Sequence, residues 1–196
     1  MTETSTNGLT SWQTQYRDIG TAVTNKSQTA YAANRTVTST APDNSYIVSV
    51  YSNGRLSTVT RYDSTGAQLG QTSYSYDAHG RQYQVTDARN GATTYAYNNA
   101  DLMSSITSPN PGNGGSAQTT VTYYNKMLQT TNVLQPDGTS VTNEYFLTGE
   151  LKKTYGSRTY PVSYTYDYAG RMKTMTTWQN FAANSGTAVT TWNYDT

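Results

Sequence analysis

The sequence predicts an all-β fold made of repeated antiparallel β-hairpins, and three observations carry this prediction. The chain has 19 tyrosines among 196 residues, and tyrosine and threonine favour the half-buried surface of a strand. Segments 93–98 (TTYAYN) and 162–167 (VSYTYD) alternate residue types with the period of two that a strand shows. A turn-like phrase occurs twice, as YDAHGR at 76–81 and YDYAGR at 166–171. No segment has an apolar period of 3.6 residues, so little helix is expected.

Composition narrows the classes of protein that the chain can belong to. Its mean hydropathy is −0.73 and its net charge only +1. Disordered chains combine low hydrophobicity with high charge and few aromatics, so the 12% aromatic content instead predicts a folded protein with a thin or extended core. The charge offers no basic patch for nucleic acid, and no apolar run approaches the length of a membrane helix. The chain has no cysteine, and His79 is its single histidine. We therefore expect no disulfide, no cofactor and no bound metal.

Tyrosines that end strands recur along the chain with a nearly constant spacing. Their successive separations are 25, 21, 27, 21, 21 and 28 residues. The two long intervals after the first contain Gly- and Asn-rich stretches at 108–118 and 180–188, which we interpret as loop insertions. A fixed period in this range indicates a repeat protein. The series is Tyr51, Tyr76, Tyr97, Tyr124, Tyr145, Tyr166 and Tyr194.

A second class of turn lies between the tyrosine turns, so each repeat is predicted to read strand, turn, strand, turn. We therefore predict a β-hairpin array over 46–196, with 1–45 forming degenerate N-terminal strands or the start of the array. Because the phrase that begins at Tyr194 stops before its glycine, the array is predicted to be truncated at its C-terminus. The second-class turns are 63–66, 87–91, 136–138, 155–157 and 184–186.

Each residue of the YDxxGR turn has a structural role. The tyrosine ends a strand and packs on the neighbouring hairpin, and the aspartate accepts backbone hydrogen bonds to close an Asx turn. The glycine takes a positive φ, and the arginine restarts the strand and is expected to reach the aspartate of an adjacent turn. The predicted turn residues are Tyr76, Asp77, Gly80, Arg81, Tyr166, Asp167, Gly170, Arg171, Gly54, Arg55 and Gly149.

This pattern resembles the YD repeats of bacterial Rhs proteins, of the C components of insecticidal Tc toxin complexes and of animal teneurins. The resemblance rests on GRL at 54–56, YSYDAHGR at 74–81, TTYAYN at 93–98, PDGTSVTNEYFLTGEL at 136–151 and YTYDYAGRM at 164–172. It implies an antiparallel ribbon that spirals into a hollow shell, of which this chain would form an arc. It also implies a secreted or cell-surface bacterial protein whose shell encloses a toxin or effector polypeptide. No residue matches the self-cleaving site of some bacterial members, and no catalytic residue is carried over.

Two other classes of function remain open at this stage. A carbohydrate-binding or adhesive module would use rows of exposed aromatics, and the residues that such stacking would use are Trp178, Trp192, Tyr95 and Tyr97. Trp178 and Trp192 flank the 180–188 stretch and are expected to face each other across two strands. A hydrolase would use paired carboxylates such as Glu144 and Glu150, but no catalytic motif accompanies them. The strands at the ends of the array predict edge-to-edge self-association.

Overall fold

The computed structural model describes residues 1–18, 21–112 and 114–195. These residues form seventeen β-strands and no helix, which confirms the all-β prediction. The chain divides into two compact units, residues 1–94 and 95–196, and strand β9 crosses this division. The array boundary placed between residues 45 and 46 stays a prediction, although regular strands precede it.

The first unit is an antiparallel meander in which each strand pairs with the next one along the chain. Its strands are β1 (Thr2–Thr4), β2 (Thr10–Asp18), β3 (Thr21–Tyr31), β4 (Arg35–Thr40), β5 (Tyr46–Ser52), β6 (Arg55–Tyr62), β7 (Gln68–Tyr76), β8 (Gln82–Asp87) and β9 (Gly91–Tyr97).

The second unit has the same meander topology. Its strands are β10 (Met103–Ser108), β11 (Gln118–Tyr124), β12 (Thr130–Leu134), β13 (Ser140–Tyr145), β14 (Leu151–Tyr155), β15 (Val162–Tyr166), β16 (Met172–Asn180) and β17 (Ser185–Thr191).

Hydroxyl and amide side chains meet directly across strands. The Oγ1 atoms of Thr165 and Thr174 lie 2.6 Å apart at paired positions of β15 and β16. Asn132 donates to Thr142 across β12 and β13 at 2.8 Å. Such pairs stabilise a sheet and satisfy their own polar groups. The Thr-rich composition therefore produces adhesion between strands without an apolar interior.

Neither unit has a hydrophobic core in the ordinary sense. Among the described residues no hydrophobic side chain is buried, and the one buried residue is the polar Thr60, at 5% exposure. The chain exposes 13200 Å², whereas a compact monomer of 21.5 kDa exposes roughly 9,200 Å². A large area that a globular protein would bury is thus in contact with solvent here.

The two predicted insertions differ in structure. Residues 109–117 connect β10 to β11, with Asn113 lying outside the described residues. The stretch 180–188 is mostly not a loop, because β17 begins at Ser185 and extends the hairpin with β16. Only 181–184 form the connection, and Phe181 within it packs at 5.3 Å from Trp178. The prediction of a long loop there is wrong because the Ser- and Gly-rich segment still pairs as a strand.

Candidate functional site

One turn geometry recurs along the described residues. The backbone N–H of its first residue donates to the carbonyl of the fifth, and the N–H of the fourth donates back to the carbonyl of the first. The fourth residue has a positive φ in every case, which explains the preference for glycine there. We call this arrangement the five-residue turn. It occurs at 41–45, 63–67, 77–81, 98–102, 125–129, 135–139, 146–150 and 167–171.

The two YDxxGR motifs form the most complete version of this turn. Asp77 Oδ1 accepts from the backbone N–H groups of His79 and Arg81 at 3.0 and 2.9 Å. Its other oxygen, Oδ2, accepts from Arg81 Nε at 2.7 Å. Asp167 and Arg171 repeat this geometry, with a 2.8 Å contact between Nε and Oδ2. Each arginine therefore pairs with the aspartate of its own turn.

These contacts set the protonation of the turn carboxylates. Desolvation raises the pKa of Asp77, but it is outweighed by hydrogen bonds from the side chain and backbone of Arg81, so the pKa lies below its usual value. Asp167 has a lowered pKa for the same opposing reasons. At Asp63 the Thr65 hydroxyl and the backbone N–H of Ala67 lower the pKa. Each carboxylate is ionised and hydrogen-bonded near neutral pH, so it is poorly suited to act as a general acid.

Several turns keep the geometry with different side chains. Asn125 replaces the aspartate and donates through Nδ2 to Gln129 Oε1 at 2.9 Å, which is a neutral counterpart of the Asp77–Arg81 pair. Two of the second-class turns, at 63–66 and 136–138, belong to the same five-residue geometry. In the latter, Gln135 takes the first position. At 63–67 and 135–139 the two turn classes therefore differ only in their side chains and share one backbone geometry.

Gly54 and Arg55 belong to a different turn. Asn53 and Gly54 both have positive φ, at 49° and 78°, and form a two-residue hairpin loop between Ser52 and Arg55. This is the type I′ geometry that an Asn-Gly pair favours. The Arg55 guanidinium nevertheless reaches the next tyrosine turn, where it lies against Gly80 in the space that a Cβ atom would fill. It also lies 5.6 Å from the centroid of the Tyr76 ring.

The tyrosines that end strands form a hydrogen-bond ladder between successive repeats. The hydroxyl of Tyr166, for example, donates to the Leu151 carbonyl at 3.0 Å. In each case the acceptor lies just after the turn of the preceding repeat, so the ladder ties one turn to the next. Sequence reasoning missed this role, although the use of tyrosine and not phenylalanine at strand ends was a signal for it. The bonds are Tyr76 to Leu56, Tyr124 to Met103, Tyr145 to Thr130, Tyr166 to Leu151 and Tyr194 to Met172.

The structure does not bring the two candidate stacking tryptophans together. Trp178 is paired across the strands with Thr187, and the backbone N–H of Trp192 donates to the backbone carbonyl of Lys173. The expectation that they face each other is wrong because the strand pairing of β17 places them in different rows. Trp178 instead donates through Nε1 to Asn184 at 2.8 Å.

Trp178 belongs to an aromatic cluster that surrounds a lysine. The Lys153 ammonium lies 4.7 Å from the Phe181 centroid, 5.3 Å from that of Tyr155 and 6.0 Å from that of Trp178. The Lys153 ammonium therefore makes cation–π contacts with these rings, and the cluster joins β14 to the β16–β17 connection.

The other candidate stacking residues differ in exposure. Trp192 is 36% exposed. Tyr95 and Tyr97 lie on β9 and are half-buried.

The two glutamates proposed for the hydrolase alternative have separate surroundings. Glu144 accepts from Tyr155, and this hydrogen bond raises the pKa of the tyrosine. Glu150 ends the 146–150 turn, and its pKa is lowered by a hydrogen bond from Thr148. Within the part of the chain that the structure describes, no three His, Asp or Glu side chains are grouped to hold a metal ion. The described residues also contain no helix long and apolar enough to cross a membrane.

Comparison with known proteins identifies the repeat. Residues 76–111 match the family model described as RHS Repeat, a segment that begins at the first complete YDxxGR turn. This match confirms the resemblance to YD-repeat proteins. No curated protein matches the chain.

Several solved structures resemble the chain, to different degrees. The crystal structure of TcdB2-TccC3 without its hypervariable C-terminal region matches with a TM-score of 0.65 at 13% identity, covering 96% of this chain. TcdB2-TccC3-Cdc42 matches with a TM-score of 0.42 at 12% identity, and the Tc holotoxin pore of Photorhabdus luminescens with 0.42 at 13% identity, each over 93% of this chain. This chain spans 11% of the first structure and 14% of each of the others. The first likeness shows a shared fold.

Proposed function

The chain carries an RHS repeat, and from that premise we propose that it is a stretch of wall in a structural β-scaffold that encloses a polypeptide cargo. In this view it belongs to a longer, secreted or cell-surface bacterial protein. The cargo, a toxin or effector, would be another part of that protein or a separate chain. The scaffold itself would not be an enzyme.

The observation that carries this proposal is a sheet held together at its turns and not by a core. No hydrophobic side chain is buried among the described residues, while each tyrosine of the ladder ties one turn to the preceding one. A single-layer sheet leaves both faces available, and a face of hydroxyl and amide groups contacts a partly unfolded chain without a strong apolar attraction. Such a wall separates a cargo from its surroundings without binding it tightly.

The turn chemistry supports a structural role over a catalytic one. The carboxylates of Asp77 and Asp167 are each occupied by two backbone N–H groups and an arginine. A general acid or nucleophile needs an oxygen directed at a substrate. Their recurrence follows the repeat, as expected for parts of the scaffold.

The proposal is tested by limited proteolysis of a longer protein that contains these residues, with fragments identified by mass spectrometry. We expect a segment outside the repeats to survive while the scaffold is intact, and to be digested once mild urea opens it. Digestion of every segment outside the repeats at the same rate in both conditions would contradict enclosure.

One observation favours an adhesive or carbohydrate-binding alternative. Several tyrosines within strands are more than half exposed, namely Tyr16, Tyr31, Tyr83 and Tyr123. Saturable quenching of tryptophan fluorescence by a glycan, lost in Trp192→Ala, would favour this function. An unchanged spectrum across a panel of neutral and acidic oligosaccharides would count against it.

A further inference from the structure

In two places the residue that follows or ends one turn contacts the glycine of the next tyrosine turn, and both times its side chain carries hydrogen-bond donors. Gln129 donates through Nε2 to the Gly149 carbonyl at 2.6 Å. The Arg55 guanidinium lies against Gly80 in the same way. Both side chains carry N–H groups, and the glycine of the neighbouring turn leaves room for them.

Glu150 breaks this rule. It occupies the same position as Gln129 in the following turn, and its Oε1 lies 4.0 Å from where a Cβ atom would stand at Gly170. A carboxylate cannot donate a hydrogen bond, so an acceptor stands where the repeat places a donor. Among the described residues no arginine or lysine forms an ion pair with Glu150, and the Thr148 side chain is the largest cause that lowers its pKa. The Glu150 carboxylate thus presents hydrogen-bond acceptors and a negative charge without a cationic partner among the described residues.

Aromatic rings surround this carboxylate. A hollow of about 280 Å³ is lined by Phe146, Thr148, Glu150, Tyr166, Asp167, Tyr168 and Gly170. Of its two carboxylates, that of Asp167 is paired with Arg171. The rings of Phe146 and Tyr166 meet edge to face at 6.2 Å, and Tyr168 is fully exposed at the rim. Ring faces beside a carboxylate attract organic cations. The Lys152 ammonium, 5.9 Å from the Phe146 centroid, shows that this ring already attracts a cation at the limit of that range.

We propose that the hollow between the 146–150 and 167–171 turns binds an organic cation with N–H donors, an alkylammonium or a guanidinium group. The cation would donate to the Glu150 carboxylate and to the turn backbone, in place of the side chain that Gln129 and Arg55 supply elsewhere. Its alkyl stem would contact the rings of Phe146 and Tyr166. The ligand is either a free amine or a lysine or arginine side chain of a polypeptide. This inference is independent of enclosure, because it concerns the turn edge and requires no cargo.

The test is an NMR titration of the ¹⁵N-labelled chain with n-butylammonium chloride at constant ionic strength. We expect saturable shifts of the amides of residues 148–151 and 170, and no comparable shifts with n-butanol, which has the same alkyl chain without the charge. Glu150→Gln should weaken binding by at least roughly tenfold, the loss expected for one charge-assisted hydrogen bond. The matched control Glu144→Gln, on the preceding strand but outside the hollow, should titrate like the unmodified chain.

A second variant keeps the proposal falsifiable if Glu150→Gln alters the turn. Glu150→Arg restores the donor found at Arg55 and should abolish the shifts while the rest of the amide spectrum is retained. The two sources of the cation are separated with the capped tripeptide Gly-Lys-Gly. Tighter binding than butylammonium assigns the site to a polypeptide side chain, and equal or weaker binding assigns it to a free amine. Equal titration of Glu150→Gln and the unmodified chain, or equal shifts with butanol, would overturn the proposal.

Discussion

Removal of one ladder hydroxyl tests how much the turn-to-turn bonds contribute to stability. In Tyr166→Phe the edge-to-face contact with Phe146 is retained, but the 3.0 Å hydrogen bond to the Leu151 carbonyl is lost. Desolvation is the largest cause that raises the pKa of Tyr166. A net hydrogen bond of this kind contributes about 1 kcal/mol.

The measurement is urea unfolding followed by circular dichroism and tryptophan fluorescence. With a slope of roughly 1–3 kcal/mol per molar urea, the expected loss lowers the midpoint by roughly 0.3–1 M. The control is Tyr168→Phe, two residues along the chain, which removes the same hydroxyl oxygen from a ring that is fully exposed. This variant should leave the midpoint unchanged within error. Equal midpoints for the two variants would refute the structural role of the ladder.

Three further predictions follow from the turns. Gly80→Ala should lower the free energy of unfolding by more than about 1 kcal/mol, because φ is +81° and the new Cβ would meet the Arg55 guanidinium. The control Gly8→Ala, where φ is +69° and the new Cβ meets open space, should cost less when both are compared by thermal unfolding. A larger cost at Gly8 would contradict this. Folding lowers the pKa of the turn aspartates Asp63, Asp77 and Asp167. The stability that they contribute is therefore complete above the unfolded pKa and should be lost as the pH falls through the lower folded pKa. A midpoint of urea unfolding that does not change between pH 5 and pH 2.5 would exclude this contribution. All seven residues of β17 are exposed and none is charged, so Val189→Lys should reduce self-association measured by light scattering at high concentration. A chain that is already monomeric at that concentration would contradict the expectation.

The tyrosine spacing predicted the hairpin repeat because one period of the array is one pair of strands, and a strand must end where the turn residues lie. The positions of Asp77 and Gly80 predicted the local geometry for the same reason: an Asx turn and a positive φ are properties of a few adjacent residues. The sequence did not predict that 135–139 has the same turn geometry, because a glutamine at the first position is not typical of an Asx turn. The geometry there comes from backbone hydrogen bonds.

Features that depend on strand register were not accessible from the sequence. Whether Trp178 faces Trp192 or Thr187 depends on where β17 begins, and a shift of one or two residues changes every partner. The destination of the Tyr166 hydroxyl likewise depends on how one hairpin is placed against the preceding one. The surroundings of Glu150 likewise depend on how its turn is placed against the 167–171 turn.

Amide hydrogen exchange of the folded chain, resolved by NMR, tests most directly the claim that the sheet is held together at its turns. In an ordinary hairpin the tip amides exchange fast. Here the N–H groups of Gly80 and Arg81, and of Gly170 and Arg171, are hydrogen-bonded within the turn. We predict protection of these amides comparable to that of the adjoining strands, and a selective loss of protection at Arg171 in Asp167→Ala. Turn amides that exchange as fast as those of an unfolded peptide would contradict the claim.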